Sequence, residues 1–161
     1  MPVWSHAHPL IVHFPIALLL VAPLIVLLGL LWPAQRPGIQ ATALILLTLG
    51  TVAAVLAVAT GLAASGPVRG GPELMATLAQ HESRAESTTL LYVGLTLALL
   101  LIRLLPWFSK RGATPNLLLA LHLFWLAASV GATLSLIQTG HLGGRMVHEL
   151  GLHTQGLQDH P

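Results

Sequence analysis

Along the chain, long apolar runs alternate with short polar stretches. Residues 10–32, 41–61, 88–105 and 117–137 are each nearly continuous in Leu, Ile, Val, Ala, Gly and Phe. A bilayer core about 30 Å thick takes roughly 20 apolar residues in helical form, so these runs predict four transmembrane helices. An extramembrane segment 62–87 follows the second run and a tail 138–161 follows the fourth. The edges carry helix punctuation: Pro9 opens the first run, Pro33 closes it, Pro106 ends the third, and Thr114-Pro115 supplies an N-cap and first-turn proline for the fourth. Residues 63–71 are rich in Gly and Ser and read as a loop. Pro72-Glu73-Leu74 then starts a helix that nothing breaks before Pro106. Pro15 and Pro23 lie inside the first run and are expected to interrupt it. The fold predicted is all-α: one integral membrane four-helix bundle with both termini on the same side.

Composition agrees and removes other classes. Of 161 residues, 55% are hydrophobic and 7% charged, and the mean hydropathy is +0.81. An ordinary soluble domain carries about a quarter charged residues, so a soluble globular enzyme is excluded. The first run has no basic segment before it, is too long for a signal-peptide core and lacks a good cleavage site, so it reads as a retained span. Cysteine is absent, which excludes disulfides, thiolate zinc sites, iron–sulfur ligation and covalent haem attachment. No nucleotide fingerprint, paired-carboxylate set or Ser/His/Asp set is visible, and no enzyme activity is expected. Nor is there a basic patch interleaved with aromatics, so nucleic acid is not a partner.

Charge placement sets the orientation. Arg36, Arg103, Lys110 and Arg111 occupy the two loops away from the termini without any acid. Arg69, Arg84 and Arg145 share the terminal side with all five acids, Glu73, Glu82, Glu86, Glu149 and Asp159. The excess of bare basic residues places those two loops in the cytoplasm and both termini outside. For a bacterial chain this is the inner membrane. Trp32 and Trp107 at one set of ends, with Trp4 and Tyr92 near the other, fit an interfacial aromatic belt. Small-residue stripes, Gly50/Ala54/Val58 in the second span and Ala127/Gly131/Ser135 in the fourth, mark expected helix contacts.

Eight of the nine histidines, His6, His8, His13, His81, His141, His148, His153 and His160, fall on or near the outer side. His13 lies about one turn into the first span, His81 stands just above the third, and His141 follows the fourth. A four-helix bundle brings these ends together. Two imidazoles from different helices are what a b-type haem iron needs. His13 with His81 or His141 would supply them, with Phe14 and leucines lining the macrocycle and Arg69, Arg84 and Arg145 beside the propionates. His8 and His13, five residues apart, point about 140° away from each other on a helix and suit two roles rather than one ion. A Zn or Cu ion held by two or three imidazoles with Glu82 or Glu149 is the alternative cofactor. Gly140, Gly143 and Gly144 are expected to break the fourth helix and fold His148 and Glu149 back over the bundle mouth, where Met146 packs. His6, His153 and His160 read as solvated terminal residues. His122, inside the fourth span, is expected to bond across to a neighbouring helix, for example to Thr48. Arg103 is expected to snorkel to the cytoplasmic interface.

The run His8-Pro9-Leu10-Ile11-Val12-His13-Phe14-Pro15-Ile16-Ala17-Leu18 resembles the HPxxVHFPIAL signature of a bacterial four-helix membrane family of the domain-of-unknown-function 2231 type. Thr60-Gly61-Leu62, His81 with Ala85, and Gly143-Gly144-Arg145-Met146-Val147 followed by Gly151 match in order. Where the family often has Tyr then His, this chain has Val147-His148-Glu149-Leu150-Gly151. Relatives joined to c-type cytochrome or iron–sulfur modules imply membrane electron transfer, with b-haem at His8, His13 and His81. The function expected is therefore a multi-pass protein exchanging electrons between quinone or a membrane partner and an outside redox protein such as a c-type cytochrome. The alternative is a non-catalytic membrane anchor or subunit, as a homo- or hetero-oligomer, with a structural or divalent-metal histidine cluster.

Overall fold

In a computed structural model, residues 8–108 and 113–152 are described, and these are helical apart from short connections. A one-turn α1 (His8–Ile11) leads into α2 (His13–Leu31). After a 3-10 turn at Pro33–Gln35 come α3 (Arg36–Ser65), α4 (Pro72–Phe108) and α5 (Pro115–His148). All four long segments are apolar and long enough to cross a membrane. At 1.5 Å per residue, the 37 residues of α4 extend about 55 Å, well beyond a bilayer core. The first four turns of α4, which hold Glu73, Glu82, Arg84 and Glu86, therefore stand clear of the apolar stretch that begins at Thr88.

Three local features depart from the sequence expectation. Pro106 does not end α4, which carries it inside and runs on to Phe108, since a proline there removes only the one hydrogen bond that its missing N–H would have given the preceding turn. The first segment is interrupted only at Val12, because Pro15 has no N–H to give the Ile11 carbonyl; Pro23 is carried inside α2 without a break. The glycines at 140, 143 and 144 do not end α5, which continues to His148. The packing of α5 on α4 along this stretch, where Thr139 and Met146 are buried and Arg145 pairs with Glu73, offsets the roughly 1 kcal/mol that each helical glycine costs against alanine. The chain turns at Gly151 instead, in the left-handed region at φ 64°, where Leu152 N–H donates back to the Met146 carbonyl at 3.1 Å.

α2 packs chiefly on α3, and α4 on α5. The two pairs meet along α3–α4 and, more loosely, α2–α5. Leu19, Ala22 and Val26 of α2, Ala43, Leu47 and Ala54 of α3, Tyr92, Leu95, Leu99 and Ile102 of α4, and Trp125 and Ala132 of α5 form the core. Outward faces carry Leu24, Val55, Leu90, Leu101, Phe124 and Val130, all exposed, as a lipid-facing surface requires. Gly50 of the predicted α3 stripe is buried and admits Leu19. On α5, by contrast, Ala127 and Gly131 face outward, and the packed face runs through His122, Trp125, Ser129, Ala132 and Thr139. Tyr92, expected at the interface, is fully buried, because it shares the inward face of α4 with Thr88, Leu95 and Leu99. Polar side chains join the helices inside: Thr51 to Thr96 at 2.8 Å, Thr88 to Ser135 at 2.7 Å, and Trp125 Nε1–H to the Leu95 carbonyl at 2.8 Å. Such bonds serve as glue where lipid supplies no hydrophobic drive between helices.

Candidate functional site

One end of the bundle gathers the start of α1, the last turns of α3, the first turns of α4 and the end of α5. His8, the first residue of α1, is half-buried against α3. Its Nδ1–H donates to the Ala57 carbonyl at 2.9 Å, with Thr60 Oγ1 at 3.4 Å. His81, in the third turn of α4, is also half-buried, and its Nδ1–H donates to the Thr139 carbonyl of α5 at 3.0 Å. Both carbonyls already belong to helical ladders and accept the imidazole on a second lone pair.

Local sequence explains why those two carbonyls are reachable. A helical side chain leans toward the N-terminus and covers the turn before it, so the residue at i+4 lies over carbonyl i. At both positions that residue is glycine: Gly61 follows Ala57 and Gly143 follows Thr139. A Cβ on Gly61 would stand 3.0 Å from His8 Cε1, and one on Gly143 would stand 3.2 Å from His81 Cε1. Each glycine thus makes the space its histidine occupies.

With Nδ1–H tied to a carbonyl, the tautomer is set and the Nε2 lone pair is left for an outside electrophile. The same holds for His13, whose Nδ1–H donates to Pro9 O at 2.8 Å, although that ring is exposed. Burial pushes the His81 imidazole below its ordinary value, with the Thr139 carbonyl and the Glu82 carboxylate partly offsetting it. The neutral, ligating form is therefore favoured.

The remaining expected site residues take varied positions. His141 and His148 are exposed on α5. Arg69 folds onto its own loop, donating to the Gly66 and Val68 carbonyls at 2.9 and 2.8 Å. Arg84 donates to Gln138 Oε1 across α4–α5, and Arg145 pairs with Glu73 and with Glu149. The last two arginines thus clamp the α4–α5 hairpin beside His81. Among the described residues no three His, Asp or Glu side chains group as a metal ion would require. His6, His153, His160, Trp4, Lys110, Arg111 and Asp159 lie outside the described residues.

At the opposite end His122 is buried. Its Nδ1–H donates to the Leu118 carbonyl at 2.6 Å, and its Nε2 accepts from Gln40 Nε2 at 2.7 Å. Its cross-helix partner is thus Gln40, not Thr48, whose hydroxyl donates to the Leu44 carbonyl of its own helix at 2.8 Å. Arg103 reaches the Pro37 carbonyl at 3.1 Å. Sequence reasoning gives Gly61 no role beyond its motif and takes Gly143 for a helix break. The available signal was a glycine four residues after a carbonyl at a helix end facing a histidine.

Fold and site together define a multi-pass, four-helix membrane protein with paired imidazoles at one mouth. The chain belongs to the family described as "Predicted membrane protein (DUF2231)", which matches residues 5–156. No curated protein and no solved structure matches it.

Proposed function

We propose that this membrane protein binds b-type haem through histidines at the mouth of the bundle and serves electron transfer in a bacterial inner membrane, with that mouth facing outside the cytoplasm. The observation that carries the reading is the pair His8 and His81. Each is half-buried, held by Nδ1–H on a backbone carbonyl and left with a free Nε2 lone pair. A bare Zn or Cu ion takes three or four protein ligands, whereas haem brings four ring nitrogens and asks the protein for two. The residues present fit haem better on that ground. Haem b supplies one-electron redox chemistry.

The residues of the chain do the rest. His8 and His81, with His13, His141 and His148 nearby on the same ends, offer the iron ligands. Arg84, whose partner is the neutral Gln138 amide, holds positive charge over the α4–α5 hairpin, as propionates or an acidic partner surface need, and Arg69 adds another in the loop before α4, whereas Arg145 is already paired with Glu73 and Glu149. The lipid-exposed sides give access to a quinone, and the mouth gives access to a c-type cytochrome or similar redox protein. Outside placement of both termini follows from the bare basic residues Arg36, Arg103, Lys110 and Arg111 at the other end.

Visible spectroscopy of the chain purified from membranes of a haem-replete host tests the reading. A Soret band with reducible α and β bands is expected, and a colourless preparation overturns it. A second reading, a membrane anchor whose histidines are structural, draws on the same bonds: His8 ties α1 to α3, and His81 ties α4 to α5. Under that reading His81→Ala lowers stability and leaves every spectrum unchanged.

A further inference from the structure

The two imidazoles repeat one local arrangement. His8 opens the first helical hairpin, donates to a carbonyl of that hairpin's second helix and abuts the glycine four residues further on. His81 stands on the first helix of the second hairpin, donates to a carbonyl of its second helix and again abuts the glycine four residues on. The helix order extends the repeat to the whole bundle. α2–α3 and α4–α5 are the close pairs, and α3–α4 and α2–α5 are the contacts between them. A half-turn about the bundle axis therefore exchanges α2 with α4 and α3 with α5 and carries His8 toward His81. Parallel repeats related by an axis along the membrane normal are a known design of membrane bundles.

Such an axis has a chemical consequence. Donors related by a half-turn lie on opposite sides of the axis, so a group on the axis at their level would stand between two imidazoles, the number a b-type haem asks of the protein. We propose that His8 and His81 are the two residues that would together hold a single haem, and that Gly61 and Gly143 are the positioning residues that set the two rings. The proposal rests on the haem reading above and names its ligand pair, in which His13 has no part. The glycines act through the rings: a methyl group 3.0 or 3.2 Å from Cε1 displaces the imidazole from its carbonyl and from its aim.

The test is titration of the detergent-purified, haem-depleted full chain with haemin, read by absorption spectrum and affinity, with helix content checked by circular dichroism. Wild type is expected to give a six-coordinate low-spin species with one haemin per chain. His8→Ala and His81→Ala should each abolish that species. Gly61→Ala and Gly143→Ala should weaken binding roughly 10- to 100-fold, the usual loss when a group orienting a metal ligand is disturbed. Gly140→Ala, on the same helix but with nothing within 4 Å of its Cβ, should bind as wild type. Haemin that fails to bind the wild-type chain overturns the haem reading itself. Haemin that binds and depends on His13 or His141 rather than His8 overturns the pairing while leaving that reading intact. Wild-type affinity in a helical Gly143→Ala protein overturns the positioning role.

Discussion

Replacing Gly50 by alanine places a methyl group where α2 and α3 are in contact. Its Cβ would stand 2.7 Å from Leu19 Cδ2, 2.9 Å from Leu19 Cγ and 3.1 Å from Leu18 Cβ. A terminal methyl could rotate aside, but Cγ moves only by a change in χ1, for which the fully enclosed Leu19 has no room, and the Leu18 Cβ moves only with the backbone. Overpacking of this kind costs about 1–3 kcal/mol, while alanine recovers roughly 1 kcal/mol of helix propensity. The net expectation runs from about no change to a loss of about 2 kcal/mol, so that Gly50→Ala falls about 1–3 kcal/mol below a glycine-to-alanine change in open space. Gly94→Ala is the control: its Cβ meets nothing within 4 Å, so only the propensity gain remains and stability should hold or rise by up to about 1 kcal/mol. Denaturant unfolding in detergent, followed by tryptophan fluorescence, measures both. Adding Leu19→Ala to Gly50→Ala should cost less than the two single losses combined, because the first change removes the atoms that the second collides with. If Gly50→Ala is as stable as Gly94→Ala, the close approach of α2 and α3 is wrong.

Further expectations concern the buried polar groups. Gln40→Leu leaves His122 Nε2 unpaired inside the bundle and should cost about 1–3 kcal/mol, whereas Gln40→Leu with His122→Leu should cost clearly less than the two single changes added together, measured by the same unfolding assay. Trp125→Phe removes the donor to the Leu95 carbonyl and part of a buried ring, so it should cost the roughly 1 kcal/mol of the hydrogen bond plus a cavity cost of about 1 kcal/mol or more. Stability should also fall with acid through His81: its folded value lies below its ordinary 6.5, so the unfolded chain binds the extra proton first. That contribution is fully present above pH about 6.5 and is lost as pH falls below it. Thermal midpoints across this window should show a shallower acid slope in His81→Gln, and an unchanged slope would refute the assignment.

Much of this architecture was legible in the sequence, for reasons that differ by element. Apolar runs bounded by Pro33 and Thr114-Pro115 specify helices because a bilayer leaves backbone groups no other partner. The continuous helix from Pro72 through His81 into the third span was legible from the lack of any breaker. Tyr92, His122 and the small residues of α5 were harder. In a span apolar on every side, hydrophobicity does not say which face meets another helix, so Tyr92 read as interfacial and Ala127/Gly131 read as the packed stripe. Gly140, Gly143 and Gly144 misled for a related reason: glycine's local preference opposes a helix, and only the packing of α5 on α4, with its Arg145–Glu73 pair and the His81 bond to the Thr139 carbonyl, overrides it.

The sequence by itself determined the number of spans, the all-helical class and the gathering of histidines toward one end, since each depends on transfer energies and local propensities that act residue by residue. The tertiary structure decided which histidines are held. His8 and His81 each need a carbonyl on another helix and a glycine that clears the approach, from Ala57 and Gly61 in one case and Thr139 and Gly143 in the other. Those partners lie 49 and 58 residues away along the chain from the imidazoles that bond to the carbonyls, and only helix packing brings them within hydrogen-bonding distance.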